Sequence, residues 1–492
     1  MLMFKYWPNG RYRLIMFCVV AVFGAALANG AAAATYVVSP ETKTVECQTM
    51  NGGIRPGDTL VLAGRSRSAI TFNNCKGTES NPITISNDVR ESGPLIVNQS
   101  GTGFQTQCKN CEYVVIDGTG KWSGAPAGVC GTSIDGGNWK LGRNNCGIVL
   151  RCVSGGPQSG LRVSGSSKFV TIKGVEIDGN VPKCSLRIGL SVNDHTYIPK
   201  PGEWREGIRL LNNYVHHTGT EGMYVGPNQA NNGEDMQLRN NEIANNLVEY
   251  AGCDGINYKS AIAGTSSIHD NHITDTGQSH DGVSSGCSAT GIALFEAGFT
   301  DVYSNYVEAP SPNSSGPGHC ISQHISALSA SSVARVPVRI FNNVVHNCKG
   351  NGISSSGGSA SAAAPVPTIF NNTVVAPVGG AGIKVAGSAE SCTVRDNIVA
   401  GPVIAVINSC NVSGNLIGIV ESQKFADVAD NDFRLTAESP AVDSGTGNCP
   451  TEDNVGTARP QHGVCDRGAF EFFTGQAATA PKPNPPGAVV VE

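Results

Sequence analysis

The segment IRLLNNYVHHTGTEGMYVG (residues 208–226) decides the fold, because the chain repeats its pattern twice more. Residues 236–261 read MQLRNNEIANNLVEYAGCDGINYKSA, and residues 266–277 read SSIHDNHITDTG, with an answering strand ATGIALFE at 289–296. Each copy has an alternating apolar strand, an Asn-Asn or Asp-Asn pair, a second short strand, a small-residue turn and a third strand that opens on Gly. Such self-similarity predicts an all-β solenoid of short parallel strands.

The second residue of each Asn pair recurs at variable spacing, which fits strands of fixed length joined by turns that accept insertions. The main insertions are predicted at 278–289 and 311–318. An Asn at a bend tolerates left-handed backbone and bonds neighbouring backbone groups. We therefore expect a stacked ladder that satisfies buried polar groups, rather than a row of ligand contacts. The positions are Asn213, Asn241, Asn271, Asn305, Asn343, Asn372, Asn397 and Asn415.

Composition and the chain ends predict an exported protein. Only 15% of the 492 residues are charged and 61 are Gly, which suits tight turns and argues against a helical solenoid. Residues 1–34 have the basic start, apolar run and Ala-rich end of a secretory signal, an uncleaved anchor being the alternative. We expect a secreted or periplasmic monomer with no membrane contact after cleavage. A net charge of −5 without a basic stripe argues against a nucleic-acid partner.

The remaining chain divides into a β-helix at 35–424, a C-terminal cap at 425–473 and a Pro-rich flexible tail at 474–492. Of the 17 Cys, Cys18 lies in the signal, and the even number left favours disulfides in an exported protein. Pairing between adjacent coils is expected for Cys253 with Cys287 and for Cys320 with Cys348. Residues 120–160, with weak periodicity, are expected to form a long loop or decorated coil held by some of Cys130, Cys146 and Cys152.

Several stretches resemble the right-handed single-stranded parallel β-helix proteins of the pectate-lyase-like superfamily. IRPGDTLVLAG (54–64) followed by GTESNPITIS (77–86) is similar to the opening of the chondroitinase B and alginate lyase family. DFRLTAESPAVDSG (432–445) and DRGAFEF (466–472) resemble the terminal segment of exported bacterial β-helix proteins. The resemblance covers nearly all of residues 35–473 and implies a polysaccharide-binding protein. The chain lacks the catalytic signatures of these lyases, of polygalacturonases and of mannuronan epimerases, so the reaction does not follow from the resemblance.

Aligning the Gly-initiated strands gives a map of one sheet of the solenoid, in which alternate residues point in and out. The expected inward row is Met223, Ile256, Ile292, Ile321, Ile353 and Ile383. The expected outward row is Tyr224, Asn257, Ala293, Ser322, Ser354 and Lys384, and two residues further along lie Gly226, Lys259, Phe295 and His324. Just before the strands lie Glu221, Asp254, Thr290, His319 and Asn351. These columns would form one wall of an elongated groove suited to an extended acidic polysaccharide.

The densest polar patch of this map suits β-elimination on a uronic-acid polymer, which needs neutralisation of the sugar carboxylate and a base for the C5 proton. Lys259 is the best candidate for the base or for a carboxylate clamp, with Tyr224 and His324 as further catalytic candidates. Asn257, Ser322 and His319 are candidate substrate contacts. Glu221 and Asp254 could hold Ca²⁺, the one cofactor these residues suit, or cap turns before Gly.

Two other functions stay open at the level of sequence. The protein could be a non-catalytic surface or matrix protein that binds glycan or another cell. It could also be a glycoside hydrolase, since Glu221 and Asp254 lie on adjacent coils, about 5 Å apart by strand spacing. His216 and His217 are expected to pack or hydrogen-bond. His269, His272 and His280 straddle a strand and a loop without defined ligand spacing, which argues against zinc.

Overall fold

The computed structural model describes residues 32–474 except 136, 180–183, 195–196, 198, 201, 228–236, 279–286, 326–334, 358–363, 376, 388–390, 402 and 407–409. The predicted signal peptide through residue 31, the tail from residue 475 and His280 lie outside the described residues. No helix in the described part of the chain is both long and apolar enough to cross a membrane.

The chain folds into a right-handed parallel β-helix, as the repeats and the resemblance predicted. Each regular coil supplies one strand to each of three parallel sheets in turn. The first sheet has 13 strands and precedes the Asn turn of each coil. Its strands are Thr35–Val38, Thr59–Leu62, Ile83–Asn87, Glu112–Asp117, Lys168–Lys173, Arg209–Leu211, Glu242–Ala244, Ser266–His269, Thr300–Tyr303, Arg335–Phe341, Ala364–Phe370, Thr393–Arg395 and Asn411–Ser413.

The second sheet follows the Asn turn, and the third sheet closes the coil. Two long strands, Leu95–Lys109 and Ile148–Ser164, run through both sheets. The other strands of the second sheet are Ser66–Ser68, Val175–Asp178, Tyr214–Thr218, Leu247–Ala251, His272–Thr274, Tyr306–Glu308, Val344–His346, Thr373–Val375, Ile398–Ala400 and Leu416–Gly418. The other strands of the third sheet are Thr44–Glu46, Thr71–Asn73, Ile188–Val192, Met223–Val225, Ile256–Lys259, Ile292–Phe295, Ile321–Ile325, Ile353–Gly357, Ile383–Gly387 and Ile404–Val406.

The interior is a stack of aliphatic rows running along the solenoid axis. In the third sheet Met223 pairs with Ile256, and Ile256 with Ile292, in the register expected from the sequence. All six residues of the expected inward row are fully buried. Burial of each such side chain contributes about 1.5–3 kcal/mol, so the stacked rows are a main source of stability.

An Asn ladder lines the turn between the first and second sheets, with one correction to the sequence prediction. Asn246, not Asn241, supplies the rung after Asn213, because Asn213 Nδ2 donates to Asn246 Oδ1 over 3.0 Å. Asn246 in turn donates to Asn271. Asn241 lies earlier in its coil, where its Oδ1 accepts from the backbone N–H of Ile208. The pattern was misassigned because residues 240–241 and 245–246 both read Asn-Asn, five residues apart.

The two residues of each Asn pair have different structural roles. The first takes the left-handed conformation, with φ of 54° at Asn212 and 55° at Asn342. The second makes the ladder bonds: Asn305 Nδ2 donates to the carbonyls of Ile268 and Tyr303 and to Asn343 Oδ1, each over 2.9 Å. The ladder is therefore structural, as expected.

Residues 120–160 form a decorated coil, the second of the two alternatives left open by the sequence, and not a long loop. Gly131–Asp135 and Asn138–Gly142 form an antiparallel hairpin, and Ile148–Ser164 is one of the long strands. The Cys130–Cys146 disulfide closes the base of the hairpin. Thr132 donates its backbone N–H to the carbonyl of Asn245, which ties the hairpin to the Asn turns.

The C-terminal segment packs on the flank of the solenoid. Phe425–Asp427 and Asp432–Leu435 pair as antiparallel strands after a short 3-10 turn, Val420–Gln423; another 3-10 turn lies at Met50–Gly52. Phe433, Leu435 and Phe470 bury against outward residues of the second sheet, such as Val375 and Ile398. The strand Asn411–Ser413, which ends the first sheet, keeps its side chains exposed. The C-terminal segment therefore covers the outer side of the second sheet more than it covers the terminal edge of the first sheet.

Disulfides join neighbouring parts of the coil in eight places. The expected pairs Cys253–Cys287 and Cys320–Cys348 are both present. Cys108 and Cys111 pair with each other, which leaves their thiols unavailable to a metal. The remaining pairs are Cys47–Cys75, Cys130–Cys146, Cys152–Cys184, Cys392–Cys410 and Cys449–Cys465. Such density indicates an oxidising compartment.

A further two-stranded parallel pair, Arg205–Glu206 with Leu238–Arg239, lies outside the three main sheets.

Candidate functional site

The outer face of the third sheet brings the predicted site residues together. Tyr224 pairs in register with Asn257, and Lys259 pairs with Phe295, which pairs with His324. Glu221 and Asp254 occupy equivalent positions two residues before the paired Met223 and Ile256. The insertions expected from the sequence fall at the turns from the second to the third sheet, on the side where Asp254 lies.

Lys259 lies between two aromatic rings. Its Nζ is 4.7 Å from the ring centroid of Tyr224 and 5.2 Å from that of Phe295. Burial lowers the pKa of Lys259, and the nearby carboxylates of Glu221 and Asp254 only partly oppose that shift. Gly226 borders Lys259, and a Cβ at that position would meet the Lys259 carbonyl oxygen at 2.4 Å. Gly226 therefore permits the close approach of the two backbones, and the amine of Lys259 is partly desolvated.

Asp254 is the most perturbed carboxyl group of the groove. It is 2% exposed, and burial together with the charge of Glu221 raises its pKa to about 6. Ser288 Oγ donates to Asp254 Oδ1 over 2.6 Å, and the Thr290 backbone N–H donates to the same oxygen over 2.8 Å. Asn257 Nδ2 donates to Oδ2 over 2.8 Å.

Sequence reasoning missed Ser288 as a neighbour of Asp254. The Cys253–Cys287 disulfide explains the contact, because it fixes the residue before Ser288 to the residue before Asp254. The expected pairing of those two cysteines was therefore the signal that could have found it.

Two buried oxygen atoms next to Asp254 have no hydrogen-bond partner among the residues that the structure describes. They are Asn257 Oδ1 and Thr290 Oγ1. Buried polar atoms of proteins are nearly always satisfied, so these two oxygens are available as partners for a bound ligand. Carboxylate, amide and hydroxyl oxygens are the donors that Ca²⁺ prefers. The donor set of Asp254, Glu221, Asn257 and Thr290 therefore fits a hard divalent cation.

Tyr224 is placed differently from the sequence expectation of a surface aromatic. It is 3% exposed, its ring lies beneath Lys259, and its hydroxyl donates to the Pro227 carbonyl over 3.4 Å. The alternation of the strand was correct, but Lys259 of the next coil lies over the Tyr224 ring. Asn257, at 7% exposure, is buried and hydrogen-bonded to Asp254.

The remaining candidates lie further along the groove. His324 is on the far side of Phe295 from Lys259, with its Nδ1 3.0 Å from Ser356 Oγ, and Ser322 is half-buried on the next outward position. Two rungs of about 4.8 Å separate His324 from Lys259. The two side chains therefore cannot both serve as the base for one substrate atom.

His319 lines a second part of the groove, a cleft of about 460 Å³ that also contains Lys349, Asn351 and Lys384. Burial and the charge of Lys384 lower the pKa of His319 to about 4. Its Nδ1 accepts the backbone N–H of Asn351 over 2.9 Å, so the neutral ring carries its proton on Nε2. His319 can thus donate a hydrogen bond to a ligand, next to an exposed ammonium.

The other histidines discussed from sequence lie on other faces. His269 stacks on Tyr303 in the first sheet, while His272 stacks on Tyr306 in the second sheet, so these two do not converge on one metal. His216 and His217 both point outward from the second sheet, whereas strand alternation predicts that one of them faces in; their rings are hydrogen-bonded to each other.

Neither a family model nor a curated protein matches the chain. Among solved structures it is similar to pectate lyase Pel9A, with a TM-score of 0.50 and 14% identity over 89% of this chain and 96% of that one. The fold is shared with Pel9A. A lacto-N-biosidase of glycoside hydrolase family 136 from Eubacterium ramulus has a TM-score of 0.40 and 13% identity over 78% of this chain and 68% of that chain. An alginate lyase from Paenibacillus has a TM-score of 0.35 and 14% identity over 78% of this chain and 99% of that chain. At 14% identity the similarity to Pel9A supports the parallel β-helix fold alone, and function rests on the site.

Proposed function

We propose that this protein is an exported polysaccharide lyase that binds an acidic polysaccharide along the third sheet and cleaves it by β-elimination. The observation that carries the proposal is the amine of Lys259, which lies between Tyr224 and Phe295 with a lowered pKa. The disulfide-rich chain and the predicted signal support action outside the cytoplasm.

Lys259 is the proposed base. The neutral amine takes the C5 proton of a uronic acid residue, and the electrons of the C–H bond form the C4–C5 double bond as the C4–O glycosidic bond breaks. The departing oxygen takes a proton from solvent. Positioned general bases accelerate reactions by about 10²–10⁴-fold. Desolvation favours this role because it increases the fraction of Lys259 that is deprotonated near neutral pH.

Asp254, Glu221, Asn257 and Thr290 are the proposed holders of Ca²⁺. A bound Ca²⁺ would supply positive charge that neutralises the uronate carboxylate and so makes the C5 proton more acidic. Asn257 is buried against Asp254, so its proposed role changes from substrate contact to cation ligand.

The distal cleft is the proposed binding site for further sugar units. His319 donates from Nε2, and Lys384 offers an exposed ammonium to a carboxylate. Ser322 and His324 lie between this cleft and Lys259 and would contact intervening hydroxyl groups. A groove that runs across several coils suits a polymer better than a small ligand.

The test is incubation of the chain from residue 35 with alginate, pectate, chondroitin and bacterial exopolysaccharides. Elimination gives an unsaturated product that absorbs at roughly 235 nm, because proton abstraction leaves a conjugated double bond. Lys259→Ala should lower the rate at least about 100-fold. Lys384→Ala is the matched control: it removes a lysine of the same sheet and should weaken substrate binding without a comparable loss of maximal rate. Equal maximal rates for wild type and Lys259→Ala would refute the proposed base.

A glycoside hydrolase is the second candidate, because Asp254 has a pKa near 6, as a general acid requires, and Glu221 lies on the adjacent coil. New reducing ends without absorbance would favour hydrolysis. Saturable binding with neither signal would favour a non-catalytic glycan-binding protein.

A further inference from the structure

A polar cluster on the second sheet lies outside the groove and has no part in the proposed reaction. Glu176 and Asp178 are on the strand Val175–Asp178, and His216 and His217 are on the next strand, Tyr214–Thr218. Asp178 pairs in register with His216, and Glu176 pairs with Tyr214. The ligand atoms of Asp178, His216 and His217 all lie within 4.8 Å of one another.

The backbone brings the two adjacent histidines to the same side of the sheet. Successive residues of a regular strand point to opposite faces, so neighbours such as His216 and His217 should diverge. His217 has a φ of 53°, in the left-handed region, and this breaks the alternation. As a result the Nδ1 atoms of the two rings are 2.8 Å apart.

Aromatic neighbours hold both rings in place. His216 stacks on Tyr214 with ring centroids 4.2 Å apart, and His217 stacks on Tyr250 at 4.8 Å. His216 is only 9% exposed, while Asp178 and His217 are half-buried and reachable by a small ion. A site whose side chains are fixed by packing loses little entropy when it binds an ion.

The hydrogen bonds direct the lone pairs of the cluster toward one point. His216 Nε2 lies 3.3 Å from Glu176 Oε1 and can donate its proton there, which leaves the Nδ1 lone pair facing His217. Asp178 Oδ1 is 3.8 Å from the same Nδ1, while Arg151 Nε donates to Asp178 Oδ2 over 3.0 Å. A carboxylate that accepts the second N–H of a histidine is the usual outer partner in metal sites.

We propose that Asp178, His216 and His217 bind a divalent transition-metal ion, with Zn²⁺ as the best-suited ion. Two imidazole nitrogens and one carboxylate are common zinc ligands, whereas Ca²⁺ takes oxygen ligands. Tetrahedral zinc at ordinary bond lengths separates its ligand atoms by about 3.4 Å, so small ring rotations would open the site. The ion takes the place of a proton shared by the two rings and braces two adjacent coils, much as the disulfides do.

The experiment titrates the chelator-treated chain from residue 35 with ZnCl₂ by calorimetry, and with Co²⁺ by absorption spectroscopy. Wild type should bind one Zn²⁺ with release of a proton, seen as a dependence of the measured heat on the ionisation enthalpy of the buffer. The spectrum with Co²⁺ should be that of a low-symmetry site with nitrogen and oxygen ligands. Zn²⁺ should also raise the midpoint of thermal unfolding.

Variants assign the binding to this cluster. His217→Phe keeps a ring on Tyr250 but removes a ligand, and should weaken binding at least about 100-fold; Glu176→Gln retains all three ligands and should weaken it about 10–100-fold. His462→Phe, at an exposed histidine of the C-terminal segment, is the control and should bind as wild type does. The proposal would be overturned if wild type did not bind Zn²⁺ stoichiometrically. It would also be overturned if Glu176→Gln and His217→Phe, both folded, bound Zn²⁺ with the same affinity as wild type.

Discussion

Replacing Asp254 by Asn tests the electrostatics of the groove without large steric change. Asn is nearly isosteric, and its Oδ1 can still accept the Thr290 backbone N–H that Asp254 accepts over 2.8 Å. What the replacement removes is a negative charge buried to 2% exposure beside Glu221. The consequence should be a change in how the stability of the protein depends on pH.

The size of the effect follows from the pKa of Asp254, which rises from 3.8 to about 6 on folding. A folded-state pKa above the unfolded value means that ionisation opposes folding. The cost is absent below about pH 4, grows through pH 6 and is complete above it; two pKa units correspond to about 3 kcal/mol. The free energy of unfolding of Asp254→Asn, relative to wild type, should therefore increase by about 3 kcal/mol between pH 3 and pH 8.

The measurement is denaturant unfolding at a series of pH values with a chelator present and the disulfides intact. Asp427→Asn, at an exposed carboxylate, is the control for a general charge effect. At pH 8, Ca²⁺ at 100 times its dissociation constant should then stabilise wild type by about 2.7 kcal/mol and leave Asp254→Asn unchanged. A stability difference that stays flat from pH 3 to pH 8 would refute the assigned desolvation of Asp254, and equal stabilisation of both proteins by Ca²⁺ would refute the cation site.

Three further predictions concern the base, the ladder and a buried ion pair. The elimination rate should rise with pH through the lowered pKa of Lys259, because only the neutral amine accepts a proton; a pH–rate profile that falls over the same range would contradict this. Asn305→Ala should lower the free energy of unfolding by about 2–4 kcal/mol, because it leaves buried ladder groups without hydrogen bonds. Asn415→Ala, at the more exposed end of the ladder, should lower it by less. Equal losses in denaturant unfolding would argue against the ladder as a source of stability. Arg143→Ala should cost about 3–5 kcal/mol at pH 7, because it leaves Glu249 buried and unpaired. Burial raises the pKa of Glu249, but the hydrogen bonds from Arg143 outweigh it and the net pKa is lowered, so this contribution should vanish in unfolding experiments below about pH 4.

The sequence predicted those features that depend on neighbouring coils alone. Inward rows, strand order and the register of Met223 with Ile256 follow from a repeat in which each strand pairs with its equivalent in the next coil. The rung at Asn246 was missed because two Asn pairs occur in one coil, and only the register of the strands distinguishes them. Two disulfides were predicted for the same reason as the strands, since they join adjacent coils.

Features that depend on distant segments could not be predicted in this way. Tyr224 alternates outward as expected, yet it is buried, because the long side chain of Lys259 lies over its ring, and alternation does not predict where a side chain of the outer face bends. The C-terminal segment covers the second sheet through Phe433 and Phe470, and no repeat in the sequence predicts this contact. The left-handed backbone of His217 brings two adjacent histidines into one cluster, and the sequence of the strand likewise does not predict it.

A parallel β-helix thus separates the residues that specify fold from those that perform chemistry. Every inward position is constrained by the coils on both sides, so the interior repeats and reads clearly in the sequence. Outward positions carry no such constraint, and a departure from the repeat there reflects a local requirement. The column that precedes the third-sheet strands changes in this way: it is acidic at Glu221 and Asp254, whereas the following positions are Thr290, His319 and Asn351. Burial of ionised Asp254 opposes folding, and the proposed cation would offset that cost, with the buried Asn257 Oδ1 and Thr290 Oγ1 as further oxygen ligands.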